Sequence, residues 1–347
     1  MVTLRDVAEA AKVSITTASV AFTSSRPISP ETRQRVLEAA KRLGYEHANS
    51  RRKSQDVQEQ KGANIAYFVP SLNNPFFAGF VRGIEERLQR DLHNLIIINT
   101  EGADDRRIAG YMDMLIDSNI DGLLLTTTRK VGSIIADKCT TNRLPAVALF
   151  SPRILSGIDL VSSDDEMGSM KAVTFLIHQG FKRIAFLRVK DSSTHENRLQ
   201  GYKRALLDNG LEFEPELVIE SVGHDDLAAY AYSKVFLKKE IPFDAVFCCN
   251  DLMAFGLIKA LRERGLRVPE DVSVVGADDT IARFMSPSLT TVRIETERMG
   301  FLAAELLLER MDGSPSTEPR TVNLPEELII RESVLHLKRP SDTLAFR

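Results

Sequence analysis

Three cysteines and six histidines are the residues best suited to nucleophilic or metal chemistry, and their spacing supports neither. Cys139, Cys248 and Cys249 are odd in number, and sequence neighbours rarely pair. No disulfide framework is therefore expected, and a reducing cytoplasm fits. His178, His195 and His224 have no metal-ligand spacing. The patterns GxSxG, HExxH, Walker A and GxGxxG do not occur. Catalytic residues, a metal and a cofactor are thus not expected. The chain does carry a charge asymmetry. Residues 1–55 hold ten Lys and Arg against five Asp and Glu, while the whole chain is −3. A small basic head on an acidic body points to a polyanion partner for the head alone.

The elements that would position these charges follow from pattern. With 347 residues, 43% hydrophobic and 27% charged, the chain is long enough for two or three globular domains. No run of 18 apolar residues occurs and none opens the chain, so neither a membrane span nor a signal peptide is expected. Residues 1–46 read as three short helices. Thr3, Ser14 and Ser29 are N-caps, Asp6 completes a capping box, and Pro30 stands at a first helical position. Val36, Leu37, Ala40 and Leu43 make the third helix's apolar stripe. Residues 47–63 are polar and read as a linker. From residue 64, short apolar runs such as Ile65–Val69 and Gly122–Leu125 alternate with helical patterns, and the rhythm restarts near Val161. That is the signature of two successive parallel α/β halves.

The head carries the most specific signal. Val2-Thr3-Leu4-Arg5-Asp6-Val7-Ala8, Val13-Ser14-Ile15-Thr16-Thr17-Ala18-Ser19, Ile28-Ser29-Pro30-Glu31-Thr32-Arg33-Gln34-Arg35-Val36 and Leu43-Gly44-Tyr45 resemble the helix-turn-helix head of the LacI/GalR family of bacterial transcriptional regulators. The resemblance runs on through Asn74-Pro75-Phe76-Phe77, Asp121-Gly122, Arg198 before Gly201-Tyr202, Asn250-Asp251, Gly276-Ala277-Asp278-Asp279, Ser286 to Val292 and Arg331-Glu332-Ser333. It implies an all-α helix-turn-helix domain followed by a two-lobed, periplasmic-binding-protein-like α/β domain with two Rossmann-like, parallel-sheet subdomains. On that reading the body spans 64–337, and residues 338–347 are a tail. Lobe 1 takes 64–160 plus 290–322 and lobe 2 takes 161–289 plus 323–337, with crossings near 158–163 and 286–292.

The resemblance also assigns residues. The second helix would enter the major groove with Ile15, Thr16, Ser19 and Val20 at base edges. Thr3, Leu4, Ser14, Thr17, Thr23, Ser29 and Thr32 would contact phosphates. This helix offers no Arg, Asn or Gln for a bidentate base contact, so its direct readout should be apolar, against thymine methyls. Lys12 stands where the family usually has Gly. His47-Ala48 and Ser54 replace the Pro-Asn pair and the wedging Leu of the family's hinge helix, which puts the central kink in doubt. Arg51, Arg52 and Lys53 could track phosphates instead.

In the body, the family's polar anchors fall on Arg198, Asn250 and Asp278. Ser71, Asn74, Phe76, Phe77 and Phe150 are the first-lobe candidates, the three Phe also being candidates for core packing. The trio suits a neutral polyol better than a polyanion. His224-Asp225-Asp226 stands where several sugar-responsive relatives place an aromatic, and acids there would also accept an amine or a nucleoside. The expected protein is a homodimeric, cytoplasmic repressor binding a pseudo-palindromic double-stranded DNA operator, with affinity set by a sugar-like effector between the lobes. The alternatives are a solute-binding protein and a ligand-independent DNA binder with a vestigial cleft.

Overall fold

The computed structural model describes residues 2–23, 28–43, 45, 62–126, 132–151, 155, 157–190, 192–313 and 318–335. It forms two compact units, Met1–Lys61 and Gly62–Arg347.

The first unit contains α1 (Leu4–Ala10), α2 (Ile15–Thr23) and α3 (Pro30–Leu43). Thr3 caps α1 through the expected box: its backbone N–H donates to Asp6 Oδ2 at 2.7 Å, and its Oγ1 accepts from the Asp6 N–H at 3.4 Å. Lys12 makes the turn into α2 at φ +54°, a left-handed conformation that an L residue occupies at some cost and glycine does not. Val7, Ala8, Ala11, Ala18, Ala21, Val36, Ala39 and Ala40 form the core. One assignment is corrected. Leu37 is 45% exposed and Ala39 takes the buried place expected for it. Small residues fill this core because three short helices must approach closely.

The second unit is built from two six-stranded sheets. The first contains β1 (Asn64–Val69), β2 (Asn94–Asn99), β3 (Gly122–Thr126), β4 (Ala146–Leu149), β5 (Asp159–Ser163) and β11 (Thr321–Leu324), in the order β2-β1-β3-β4-β5-β11, all parallel. The second contains β6 (Ile184–Val189), β7 (Val218–Ser221), β8 (Ala245–Cys248), β9 (Ser273–Asp278), β10 (Thr290–Arg293) and β12 (Glu327–Ile329), in the order β7-β6-β8-β9-β10-β12. Only β12 runs antiparallel, against β10. The two lobes thus repeat one strand order, with a topological switch point between β1 and β3 and another between β6 and β8.

The helices α4 (Phe76–Gln89), α5 (Asp105–Asp117), α6 (Gly132–Asn142) and α11 (Thr296–Met311) belong to the first lobe. The second holds α7 (Asp165–His178), α8 (Ser193–Asp208), α9 (Asp226–Leu237) and α10 (Asp251–Glu263). The chain crosses between sheets after Ser163, Arg293 and Leu324, so β5 belongs wholly to the first sheet and β10 to the second. These ends lie two to four residues beyond the approximate lobe limits of 160, 289 and 322 read from sequence. α6 and the short strands β10 and β11 were not visible in the pattern.

Helices α4 and α11 cross with no room between them. A Cβ at Gly83 would lie 1.8 Å from the Glu297 carbonyl oxygen, and one at Gly300 would lie 2.3 Å from that of Phe80. Gly110 in α5 has nothing within 4 Å of the same position. Gly83→Ala should therefore destabilise the body by about 1–3 kcal/mol through overpacking. Gly110→Ala should stabilise it by about 0.4–1 kcal/mol through backbone entropy. Chemical denaturation of both variants checks the opposite signs.

Candidate functional site

The C-terminal ends of the strands of both lobes open onto one cavity of about 400 Å³, within the range of small-molecule sites. All eight body residues singled out from sequence line it: Ser71, Asn74, Phe76, Phe77, Phe150, Arg198, Asn250 and Asp278. Their environments differ, and so does what each can offer a ligand.

The first lobe supplies an aromatic wall. Phe76 packs edge-on against Phe77 at 5.3 Å, Phe80 at 5.3 Å and Phe150 at 4.9 Å. These rings belong to the lobe's core and also line the cavity. Phe150 stands at φ +46°, directly after β4. Ser71 and Asn74 shape the loop after β1, where Ser71 Oγ accepts from the Asn73 N–H at 3.1 Å and Asn74 Oδ1 accepts from that of Phe76 at 3.0 Å.

The second lobe supplies the polar groups. Arg198, 2% exposed, donates from Nε to Asp165 Oδ1 at 2.8 Å and from Nη1 to the Cys249 carbonyl, and its Nη2 forms an ion pair with Asp165 Oδ1 at 2.8 Å. The second N–H of Nη1 and those of Nη2 are the donors it has for a ligand. Asn250 caps α10: its Oδ1 accepts from the Met253 N–H at 2.7 Å and its Nδ2 donates to the His224 carbonyl at 3.0 Å. Its capping duty was not foreseen, and it leaves one amide hydrogen and one lone pair spare.

Sequence left Asp278 and Asp279 unseparated except by family register. In the structure they play opposite parts. Asp279 accepts from Arg293 Nε at 2.8 Å and Arg331 Nη2 at 2.6 Å. Asp278 lines the cavity, and its nearest cation is Arg198 Nη1 at 4.0 Å. Burial and the charges of Asp251, Glu326 and Asp165 push the Asp278 carboxyl well above the usual carboxylate range, with Arg198 opposing. Both residues have positive φ, +114° and +57°. Asp251 holds the turn after them by accepting from the Thr280 N–H at 2.9 Å and Thr291 Oγ1 at 2.6 Å.

Sequence reasoning missed His195 and treated His224 only within an acidic segment. Both line the cavity, their rings edge-to-face at 5.0 Å. His195 Nδ1 accepts from the Val189 N–H at 2.8 Å, which leaves its proton on Nε2. Burial, and then the charges of His224, Arg198 and Arg188, hold its pKa well below the usual histidine value, so the ring is neutral. The shared signal was position after adjacent strand ends, not spacing in the chain. Of the flanking acids, Asp225 lines the cavity but caps α9 through the Ala228 N–H at 2.8 Å. Cys248 and Cys249 are fully buried, and burial raises both thiols, which leaves them inert.

In the head, Ile15 is 48% exposed and Thr16 is exposed, while Ser19 and Val20 are half-buried. Neither Ile15 nor Val20 packs on the head core, which Ala18 and Ala21 fill. Ser14 Oγ accepts from the Thr17 N–H at 3.0 Å and Ser29 Oγ from that of Thr32 at 3.2 Å, so both serines cap. Thr3 Oγ1 donates to Asp6 Oδ2 at 2.8 Å, which commits its proton internally. Leu4 packs against the core. The side chain of Thr23, and all of Arg51, Arg52 and Lys53, lie outside the described residues.

A helix-turn-helix head and a two-lobed sensor-like body together define a ligand-responsive DNA-binding regulator. The family model for bacterial regulatory proteins of the lacI family matches residues 3–47, and that for a periplasmic binding protein-like domain matches residues 173–334. The chain belongs to the LacI family and is a DNA-binding repressor of that family. It is 33% identical to an HTH-type transcriptional repressor PurR of Histophilus somni, over 96% of this chain and 99% of that one. It is also 33% identical to a ribose operon repressor of Haemophilus influenzae, over 97% and 100%. Among solved structures it resembles a complex of the regulator CelR with cellobiose (32% identity, 96% and 100% coverage, TM-score 0.71). It also resembles the lac repressor dimer bound to operator and an anti-inducer (25%, 96% and 99%, TM-score 0.72).

The two aspartates predict different losses. Asp279→Ala should cost roughly 3 kcal/mol of stability, because it strands two partly buried guanidinium groups. Asp278→Asn should change stability by less than about 1 kcal/mol, because no protein donor depends on it. Urea denaturation of the two variants measures the contrast.

Proposed function

We propose that this chain is a cytoplasmic, homodimeric repressor whose operator affinity is set by a neutral sugar or related polyol bound between the lobes of its body. The observation that carries this reading is the cavity itself. It joins a wall of phenylalanines from one lobe to Arg198, Asn250, Asp278 and the neutral His195 from the other. Apolar ring faces suit the C–H face of a sugar, and a carboxyl group beside a guanidinium suits vicinal hydroxyls. Among the described residues of the lining, Arg198 is the one Lys or Arg, beside Glu101, Asp225 and Asp278. Among similar structures, the CelR complex holds cellobiose and a LacI-family regulator from Enterococcus faecium holds ribose, which supports a sugar ligand.

Exposed large apolar residues on the body support pairing with a second copy. Ile96 and Ile97 lie on edge strand β2, and Val222, Leu227, Phe255 and Phe284 lie on the second lobe. A C2 dimer would bring two heads to half-sites about one helical turn apart. In each head, Ile15, Thr16, Ser19 and Val20 would face base edges. The hydroxyls of Ser14, Thr17, Ser29 and Thr32, with Thr3, Leu4 and Thr23, would lie along phosphates. Arg51, Arg52 and Lys53 would follow the backbone or a narrow minor groove.

Thermal unfolding of the purified chain with a panel of sugars, sugar phosphates, polyols, nucleosides and amino acids tests the cleft. A ligand at 100 times its Kd stabilises by about 2.7 kcal/mol, and each kcal/mol should raise the midpoint by roughly 2–4 °C. A neutral sugar should give the rise and Asp278→Ala should remove it. No rise with any compound would favour the ligand-independent regulator. Operator selection from random duplexes tests the head. Replacing half-site thymines with uracils in the selected site should weaken binding about fourfold per methyl lost, at about 0.8 kcal/mol each. Unchanged affinity would refute apolar readout.

A further inference from the structure

The chain passes between the two sheets at Ser163–Asp165, Arg293–Thr296 and Leu324–Glu327. Glu326 lies in the third passage and is 4% exposed. Its Oε1 accepts from Ser163 Oγ, in the first passage, at 2.8 Å. Its carbonyl oxygen accepts from Lys171 Nζ on α7 at 2.8 Å. Its Oε2 fills the space above Gly168 of α7, where a Cβ would lie 1.7 Å from that oxygen and 3.1 Å from Val292 Cγ1. Val292 is on β10, the strand that leads into the second passage. One buried side chain therefore joins the first and third passages, beside the strand that leads into the second.

The next carboxyl along is Asp165, the first residue of α7, also buried and bonded to Arg198. Polar contacts thus lie on both sides of the α7 N-terminus, those of Glu326 in the third passage and those of Asp165 with Arg198. The charged groups that face Glu326 are Asp164, Asp165 and Lys171 from α7 and its cap, Arg198 from α8, and Asp278 from β9. Three buried carboxyls (Asp165, Asp278 and Glu326) surround one guanidinium, and buried like charges cannot all be ionised cheaply.

We propose that Glu326 is a positioning residue for Arg198, and that a proton on its carboxyl latches the first and third passages in the arrangement seen here. With the proton, Asp165 is the anion that holds Arg198, and Glu326 keeps its bond from Ser163. Without it, two adjacent buried anions repel across the first and third passages, and the lobes relieve this by changing their angle. Only the consequence for an effector rests on the cleft reading given above; the latch itself needs no ligand. Burial and the Asp165 charge push the Glu326 carboxyl up to about 8, from an ordinary value of 4.5. A raised carboxyl stabilises the fold fully below its unfolded value, and that stabilisation is lost as pH rises through the folded one. The window is therefore about pH 5–8.

The test uses the full chain with no ligand. Its thermal midpoint is followed from pH 5 to 9, together with energy transfer across the cleft between dyes on Asp117→Cys and Asp208→Cys. The three native cysteines are buried and should stay unlabelled, and an excess of unlabelled chain isolates distances within one molecule. The unsubstituted chain should lose at least about 2 °C more than Glu326→Gln between pH 6 and 9, and its energy transfer should change over the same range. Glu326→Gln should show no such change in energy transfer. Asp165→Asn, which removes the neighbouring anion, should move the response to lower pH. A full pH response in Glu326→Gln, or an unmoved one in Asp165→Asn, overturns the proposal. A failed ligand panel beside an intact Glu326-dependent response would instead count against the cleft reading alone.

Discussion

The body is organised around one buried cation that serves two masters. Arg198 projects from α8 into the cleft, yet it is anchored from behind by Asp165 at the start of α7 and by the Cys249 carbonyl at the end of β8. A guanidinium can do both because its five donors lie in a rigid plane, and Nε and Nη1 fix its place while others remain for a ligand. Burying it is tolerable only because Asp165 is buried beside it. The same constraint explains why acids crowd this part of the fold, and why Asp278 can line the cavity without a hydrogen-bonded protein partner of its own. A ligand that gives Asp278 a donor and Arg198 an acceptor would meet two needs left open by the protein.

The head obeys a different constraint. Its three helices bury mostly alanine and valine, so they pack closely and leave little side-chain freedom. Each serine or threonine ahead of a helix is recruited as a cap. Capping orients the remaining hydroxyls and backbone donors at helix N-termini, which is where phosphates bind well. What remains outward at the start of α2 is aliphatic and hydroxylic, with Ile15 48% exposed. Affinity and base discrimination are thus divided between different residues, as charge and shape require.

Much of this was legible in the sequence, for identifiable reasons. The strands β1, β3, β4 and β8 stand out because both faces are buried and their residues are uniformly apolar. β10 and β11 did not, because four-residue strands in which half or more of the residues are polar carry no such signal. The crossing points lie a few residues beyond those read from sequence because β5 and β10 end in polar residues that look like connection. In the site, Arg198, Asn250 and Asp278 were found by resemblance, and the structure brings them to one cavity with the aromatic residues of the other lobe. The separation of Asp278 from Asp279 needed three dimensions, since it depends on Arg293 and Arg331 reaching one of the two. His195 and His224 meet only because β6 and β7 are neighbours in the sheet. Glu326 was invisible for the same reason, as its partners lie about 160 residues away in the chain.

The central claim is that cleft and head share one free-energy balance, and linkage makes it reciprocal. The most direct test measures the affinity of a cleft ligand for the chain alone and for the chain saturated with its selected operator, at one salt concentration. The account predicts that the two affinities differ by at least about fivefold, and that operator affinity changes by the same factor when ligand is present. Equal ligand affinities in the two states would contradict it, however tightly the ligand binds.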